Sequence, residues 1–205
     1  PAIGARHDAD APYFCVTGSA AMDEYDLGAY AVLVRDLAAT TGLRPLLLYS
    51  KQDDSRLMAA MAEALPVGSY AAVNSKCMAT YDGILPILRD ARFVIGGRYH
   101  TAVTALAQAT PVILLPANTH KNEGLATMLG IELPVHGLAD RRAILAEAAA
   151  LMQPGNGRAD AIRGALDTVA ARQEAFAAYL RRFIAGGGRE GGLDPRDIAS
   201  NRIVR

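Results

Sequence analysis

The chain has 205 residues, of which 51% are hydrophobic, and its 21 basic side chains balance its 21 acidic ones. This length fits one large domain, or one domain with an accessory helical segment, and the balanced charge argues against nucleic acid as a partner. No apolar run reaches the ~20 residues that a transmembrane segment needs, and no apolar core of a signal peptide lies in the first ten residues.

Strands and helices alternate along the first 90 residues. Short apolar runs bounded by small or polar residues predict buried strands at Pro12–Ser19, Arg44–Gln52 and Ser69–Lys76. Apolar residues spaced three and four apart predict helices at Leu27–Gly42, Asp53–Leu65 and Thr80–Ala91, the last with a kink or a late start at Pro86.

The same alternation continues to residue 140. Further strands are predicted at Arg92–Gly97, Thr110–Asn118 and Leu133–Leu138, and helices at Tyr99–Ala109 and Lys121–Ile131. Continuous apolar strands joined by helices indicate a Rossmann-like α/β fold, with a parallel sheet of about six strands and helices on both faces. We therefore expect a Rossmann-like domain over residues 1–140.

The remainder of the chain is predicted to be helical and then flexible. Helices are expected at Arg141–Met152 and Ala159–Ile184, so that residues 141–185 form a C-terminal helical segment packing on the domain. Residues 186–205 begin with a glycine-rich run and are expected to be a flexible tail.

The carboxyl ends of the predicted strands collect polar residues, and ligands of open parallel sheets bind at that edge. All three lysines of the chain are there, although 18 arginines supply most of its basic charge. The candidate binding residues after the first three strands are Ser19, Lys51, Ser75 and Lys76. Those after the fourth and fifth strands are Gly96, Gly97, Arg98, Tyr99, His100, Asn118, Thr119, His120, Lys121 and Glu123. Helix N-termini point to the same edge, so the sequence predicts a site for phosphate, carboxylate or both.

Arg98 and His100 carry the strongest local signal in this set. Gly96 and Gly97 would let a ligand or another backbone come close, an arginine after them can hold an oxyanion, and a histidine can donate or carry a proton. The alternative is a glycine turn with an exposed arginine and a packed histidine. Lys121 lies at a helix start, where a cation is unfavourable unless an anion is present.

Other residues have plainer interpretations. Lys51 and Lys76 could be solvated charges in loops, and His120 could cap a helix. Two cysteines, Cys15 and Cys77, make neither a disulfide framework nor a metal site, and we expect free thiols in a reducing compartment. The sequence contains no Gly-x-Gly-x-x-Gly fingerprint, so no dinucleotide cofactor is expected.

The segment ARFVIGGRYHTAVTALAQATPVILLPANTHKNEGLATMLGI, residues 91–131, resembles the signature region of the polysaccharide pyruvyl transferases. That family shows an apolar strand, an Arg-x-His motif, a helix of small residues and a strand that opens with proline. The resemblance implies one Rossmann-like half of the two-domain architecture called GT-B. It also implies transfer of a pyruvyl ketal group from phosphoenolpyruvate to a sugar of a cell-surface polysaccharide.

By position, Arg98 and His100 match the family's Arg-x-His motif and would serve as electrostatic clamp and acid, with Asn118, Thr119 and Lys121 facing the same cleft. The resemblance implies a cytoplasmic transferase, or one at the inner-membrane surface, acting on a sugar or lipid-linked acceptor. The chain would be the C-terminal, donor-binding half, which turns over little without an N-terminal half.

Two alternatives remain open at this point. The chain could be the nucleotide-sugar-binding domain of a GT-B glycosyltransferase or epimerase, in which Glu123 would hold a ribose. It could also be a non-catalytic Rossmann-like interaction domain.

Overall fold

The computed structural model describes residues 11–21, 24–49, 54–74 and 81–185. The strands are β1 (Tyr13–Ser19), β2 (Arg44–Tyr49), β3 (Ala71–Asn74), β4 (Val94–Gly97) and β5 (Val112–Leu114). The helices are α1 (Leu27–Thr41), α2 (Asp54–Ala64), α3 (Tyr81–Asp90), α4 (Tyr99–Ala107), α5 (Lys121–Leu129), α6 (Arg141–Leu151) and α7 (Arg158–Ala185).

The five strands form one parallel sheet in the order β3-β2-β1-β4-β5. The predicted parallel α/β fold is therefore confirmed, with five strands where about six were expected. The segment predicted as a sixth strand makes only one bridge, between Val135 and Leu114. Pro134 has no N–H to donate to a ladder, and the chain turns after Gly137 into a short 3-10 helix, so pairing does not extend.

Each strand sends alternate side chains to opposite faces of the sheet, and this alternation divides the core in two. Phe14 and Val16 of β1 face one side and pack with buried residues of α1, α2 and α6. Tyr13 and Cys15 face the other side and pack with buried residues of α3, α4, α5 and α7. Helices therefore cover both faces, as the continuous apolar strands predict.

The ends of α1 follow ordinary capping chemistry, which explains why its predicted limits agree with the structure. Asp26 accepts a hydrogen bond from the N–H of Ala29 at 2.9 Å. Gly42 closes the helix in the left-handed conformation, and its N–H donates to the carbonyl of Ala38.

The last two helices pack on the domain to different extents. Helix α6 lies against α1 and β5, and the first half of α7 lies against α5. Ile162 and Ala165 of α7 are buried, whereas Phe176 and Ile184 in its second half are largely exposed. Among the described residues, no helix is long and apolar enough to cross a membrane.

Several predictions fall outside the described residues and stay predictions. They concern Lys51, Ser75, Lys76 and Cys77, together with the tail at 186–205.

Candidate functional site

The strand order places the point of topological reversal between β1 and β4. The connection after β1 enters α1 on one face, and the connection after β4 enters α4 on the other. The two connections diverge there and leave a crevice outside the carboxyl ends of the strands. Doubly wound α/β proteins bind ligands in such a crevice.

The glycine pair at the end of β4 lets neighbouring protein segments pack closely. A Cβ on Gly96, whose φ is 151°, would lie 2.1 Å from Thr17 Oγ1. A Cβ on Gly97 would lie 2.3 Å from the carbonyl oxygen of Pro116 and 2.4 Å from Ser19 Oγ. Of the two roles expected for these glycines, the structure shows close approach of β1 and of the chain after β5.

Ser19 belongs to this close-packed support. Its hydroxyl donates to the carbonyl of Pro116 at 2.7 Å and accepts from the N–H of Ala21 at 3.1 Å. The phenol of Tyr25 donates to the same Pro116 carbonyl at 2.6 Å, and burial raises the pKa of Tyr25 to about 12. Ser19 is buried and does not line the cavity described next, although the sequence suggested it as a binding residue.

A cavity of about 370 Å³ opens at the crevice. Its walls come from the ends of β1, β4 and β5 and the starts of α4 and α5. The lining residues are Ala20, Gly97, Arg98, Tyr99, His100, Thr101, Ala117, Asn118, Thr119 and Lys121. Seven of the candidates from the sequence are thus brought together, while Gly96 is buried behind them and His120 and Glu123 are exposed outside the lining.

Two helices begin at this cavity. Neither N-cap side chain, Arg98 for α4 or His120 for α5, accepts a hydrogen bond from the first turn of its helix. Backbone N–H groups of these first turns therefore receive no bond from the N-cap side chain, and the positive ends of both helix dipoles lie at the cavity. Such a pair of helix starts favours an anion.

The ring of Tyr99 connects the two helix starts. The ammonium of Lys121 lies 5.9 Å from its centroid, within reach of a cation–π interaction, and the His100 ring meets it edge-on at 5.6 Å. Among the described residues, Lys121 has no carboxylate partner. An exposed, unneutralised ammonium thus stands beside two uncapped helix starts.

Arg98 differs from Lys121 because it is paired. One of its terminal nitrogens, Nη2, donates to Oδ1 of Asp54, the first residue of α2, whose side chain is fully buried. Asp54 is not among the candidate residues from the sequence. The ion pair joins residues that are 44 positions apart in the sequence, so no local sequence pattern predicts it.

Asn122 is a second residue that the sequence did not single out. It is fully buried in the first turn of α5, and its amide donates to the carbonyl of Leu115 at 2.8 Å. The bond fixes the start of α5 against the end of β5 and so holds Lys121 at the cavity rim. No sequence signal distinguishes it, because its neighbours Lys121 and Glu123 are polar as well.

A separate polar cluster lies away from the cavity, and we call it the side cluster: His136, Glu147 and Arg158. Glu147 meets Nε2 of His136 at 2.6 Å and Nη2 of Arg158 at 3.6 Å. Arg158 also donates to the carbonyl of Glu132 at 2.6 Å. These bonds join α6, α7 and the segment before them.

The described residues contain no group of three or more His, Cys, Asp or Glu side chains that could hold a metal ion. Cys15 is fully buried in β1, and burial raises the pKa of its thiol well above the usual range. A buried, protonated thiol is a poor nucleophile, so Cys15 serves the core.

Comparison with known proteins supports the fold but identifies no family. No protein-family model matches the chain, and no curated protein matches it. Among solved structures, a mutant of the Thermobaculum terrenum O-GlcNAc transferase superposes with a TM-score of 0.59 at 18% sequence identity. The match covers 88% of this chain and 38% of that one. The chain thus has the Rossmann-like fold found in a GT-B glycosyltransferase and spans well under half of that protein's length.

Proposed function

We propose that this chain is the donor-binding domain of a GT-B-type transferase and holds a phosphate-bearing donor in the cavity between α4 and α5. The observation that carries the proposal is the unneutralised Lys121 beside two helix starts that their N-cap side chains leave open. Phosphate oxygens can accept from backbone N–H groups and an ammonium together. The location at the point of topological reversal supports the same conclusion.

Transfer of a sugar from a nucleotide-sugar donor is the first candidate reaction. The similarity of fold to an O-GlcNAc transferase supports it at the level of architecture. In this scheme the diphosphate lies against the starts of α4 and α5. Glu123, exposed in the first turn of α5, is placed to accept hydrogen bonds from a ribose just outside the cavity.

Pyruvyl transfer from phosphoenolpyruvate to a sugar is the second candidate. It is favoured because Arg98, Tyr99, His100 and Lys121 line one cavity. Two acceptor hydroxyls would form C–O bonds to the enol carbon and lose their protons, and the C–O bond to phosphate would break. In balance, the methylene carbon gains one proton and the departing phosphate carries the other. His100 is the acid placed at the cavity, and Lys121 with the start of α5 would take the phosphate.

In either scheme the acceptor would approach from across the crevice. A second Rossmann-like half, and a sugar or lipid-linked saccharide as acceptor, are parts of this proposal. Without that half the chain would bind a donor and turn over little, so binding is the appropriate measurement.

Calorimetric titration with UDP, UDP-GlcNAc, phosphoenolpyruvate and inorganic pyrophosphate tests the proposal. We expect pyrophosphate to bind, and one of the two donor types to bind more tightly than pyrophosphate. Tighter binding of the uridine ligands selects sugar transfer, and tighter binding of phosphoenolpyruvate selects pyruvyl transfer. Absence of binding by all four would support the non-catalytic interaction domain and overturn the proposal.

A further inference from the structure

The Asp54–Arg98 pair changes the role that Arg98 can have in the cavity. Asp54 carries a fully buried carboxylate, and a buried charge is stable only when it is paired. Arg98 supplies that pairing from the start of α4, on the opposite face of the sheet from α2. The two side chains therefore join both helix layers at the edge where the ligand would bind.

The pairing also limits how Arg98 can meet an oxyanion. A guanidinium holds an oxyanion bidentately through two neighbouring nitrogens, either Nε with one terminal nitrogen or the two terminal nitrogens. In Arg98, Nη2 is bonded to Asp54, and Nε is buried with no hydrogen-bond partner among the described residues. The pairs that include Nε thus contain a buried nitrogen. The pair of terminal nitrogens has to share Nη2 with Asp54, whose carboxylate already faces the guanidinium charge, so Arg98 is a weaker clamp for an oxyanion than an arginine without a carboxylate partner.

Lys121 has the properties that Arg98 lacks. It is exposed, lies over the Tyr99 ring and meets no carboxylate among the described residues. Its helix is fixed by the buried Asn122, which bonds to the end of β5. Within the described ranges, the cationic charge at the cavity that remains available for a ligand is therefore the ammonium of Lys121.

We infer that Asp54 and Arg98 form a charge-neutral pair that positions the cavity wall, and that Lys121 is the cation that binds the donor phosphate. Asp54 is a positioning residue, acting through Arg98. The assignment of Lys121 rests on the proposed function, whereas the coupling of Asp54 to Arg98 does not. This assignment differs from the one that the sequence resemblance implies, in which Arg98 is the clamp.

A double-mutant cycle separates the two assignments. We would compare the wild-type chain with Asp54→Asn, Arg98→Gln, the double variant and Lys121→Met, by urea unfolding and by calorimetric titration with inorganic pyrophosphate. Arg98→Gln removes the cation that faces the buried Asp54 carboxylate, so the variant should unfold at lower urea and bind about 10-fold more weakly. The double variant should recover stability and bind within about 3-fold of wild type, because a neutral pair is replaced by a neutral pair.

Two further variants complete the test. Asp54→Asn should tighten pyrophosphate binding by about 3- to 10-fold, since it removes a negative charge next to the site while an amide oxygen still accepts from Arg98. Lys121→Met should weaken binding about 10-fold or more without lowering stability. The control is Asp90→Asn, which removes the acidic partner of exposed Arg89 at the end of α3 and should change neither quantity.

Each result decides one way. A double variant that folds as well as wild type but binds as weakly as Arg98→Gln would show that Arg98 contacts the anion, and would overturn the inference alone. If the wild-type chain binds no pyrophosphate, the proposed function and the role of Lys121 both fail, while the unfolding data still measure the Asp54–Arg98 coupling. If Arg98→Gln does not fold, the pyrophosphate affinities of Asp54→Asn and of the double variant test the inference. Weaker binding than wild type by more than about 3-fold in the double variant would overturn it.

Discussion

The side cluster on α6 and α7 and the cavity between α4 and α5 both gather charged groups where helices meet. In the side cluster, the carboxylate of Glu147 contacts both His136 and Arg158. At the cavity, Arg98 is paired with buried Asp54, whereas Lys121 has the face of an aromatic ring and no carboxylate beside it in the part of the chain that the structure describes. In the side cluster each of these groups has an oppositely charged or hydrogen-bonding partner. At the cavity, the ammonium of Lys121 has no carboxylate partner among the described residues.

This difference separates charges that hold the fold from charges that can hold a ligand. In the side cluster, the imidazole of His136 and the guanidinium of Arg158 already have a carboxylate partner, so neither is open to an incoming anion. An ammonium at an open helix start is disfavoured by the helix dipole until an anion arrives. The partner of a charged residue is therefore more informative about function than its type or its position in sequence.

The largest effect should come from breaking the backbone support of the cavity. Gly97→Ala would place a methyl group 2.3 Å from the Pro116 carbonyl oxygen, where no backbone shift is cheap, and should cost about 3 kcal/mol or more. Gly124→Ala is the matched control, because a Cβ there meets nothing within 4 Å and an alanine favours the helix by ~0.5–1 kcal/mol. Urea unfolding of both variants gives the two values, and equal stabilities would contradict the close packing described here.

Breaking the side cluster should affect stability and spare binding. Glu147→Gln removes the charge that faces His136 and Arg158, and should cost about 2 kcal/mol, since the partners are mostly buried. Asp160→Asn serves as control, because its pair with Arg163 is exposed and contributes little. A change in pyrophosphate affinity on Glu147→Gln would show that the two clusters are not independent.

Removing the unneutralised cation should have the opposite outcome. Lys121→Met keeps the length of the side chain and should weaken pyrophosphate binding about 10-fold, or ~1.4 kcal/mol. Stability should hold or rise by a few tenths of a kcal/mol, because the cation opposes the α5 dipole. Calorimetry and urea unfolding of one preparation measure both; a loss of stability with unchanged binding would assign Lys121 to the fold.

A smaller effect on stability is expected at Tyr25, whose hydroxyl donates to the carbonyl of Pro116 behind the cavity. Tyr25→Phe removes the 2.6 Å hydrogen bond and should cost about 1 kcal/mol at neutral pH. Burial raises the pKa of Tyr25 to about 12 from its usual value near 10. The protonated phenol therefore contributes stability that is complete below pH 10 and is lost as the pH rises from 10 to 12.

The pH dependence of unfolding checks this directly. The stability difference between wild type and Tyr25→Phe should be constant below pH 10 and shrink above it. A difference that stays constant up to pH 11.5 would mean that the phenol is not held in its protonated form.

The fold and the place of the cavity could be predicted from sequence because both follow from local patterns. Alternating apolar strands and helices specify a parallel sheet, and polar residues after each strand then lie at one edge. The prediction of a sixth strand at Leu133–Leu138 was wrong. Proline and glycine inside this short apolar run limit the pairing to the single bridge at Val135.

The division of labour within the site could not be predicted, since it depends on contacts distant in sequence. The bond of Arg98 to Asp54 spans 44 positions, and that of Ser19 to Pro116 spans 97. Both residues had been expected to face a ligand. Arg98 does line the cavity, but its guanidinium is paired with Asp54, whereas Ser19 is buried outside the lining.

Backbone amide shifts in a ¹⁵N-labelled sample test the central claim most directly. On titration with the donor that calorimetry selects, we predict the largest shifts at the starts of α4 and α5, on the amides of Tyr99, His100, Thr101 and Lys121. The amides of His136, Glu147 and Arg158 should stay in place. Shifts centred on the side cluster, or none at saturating ligand, would contradict a phosphate site at the carboxyl edge of the sheet.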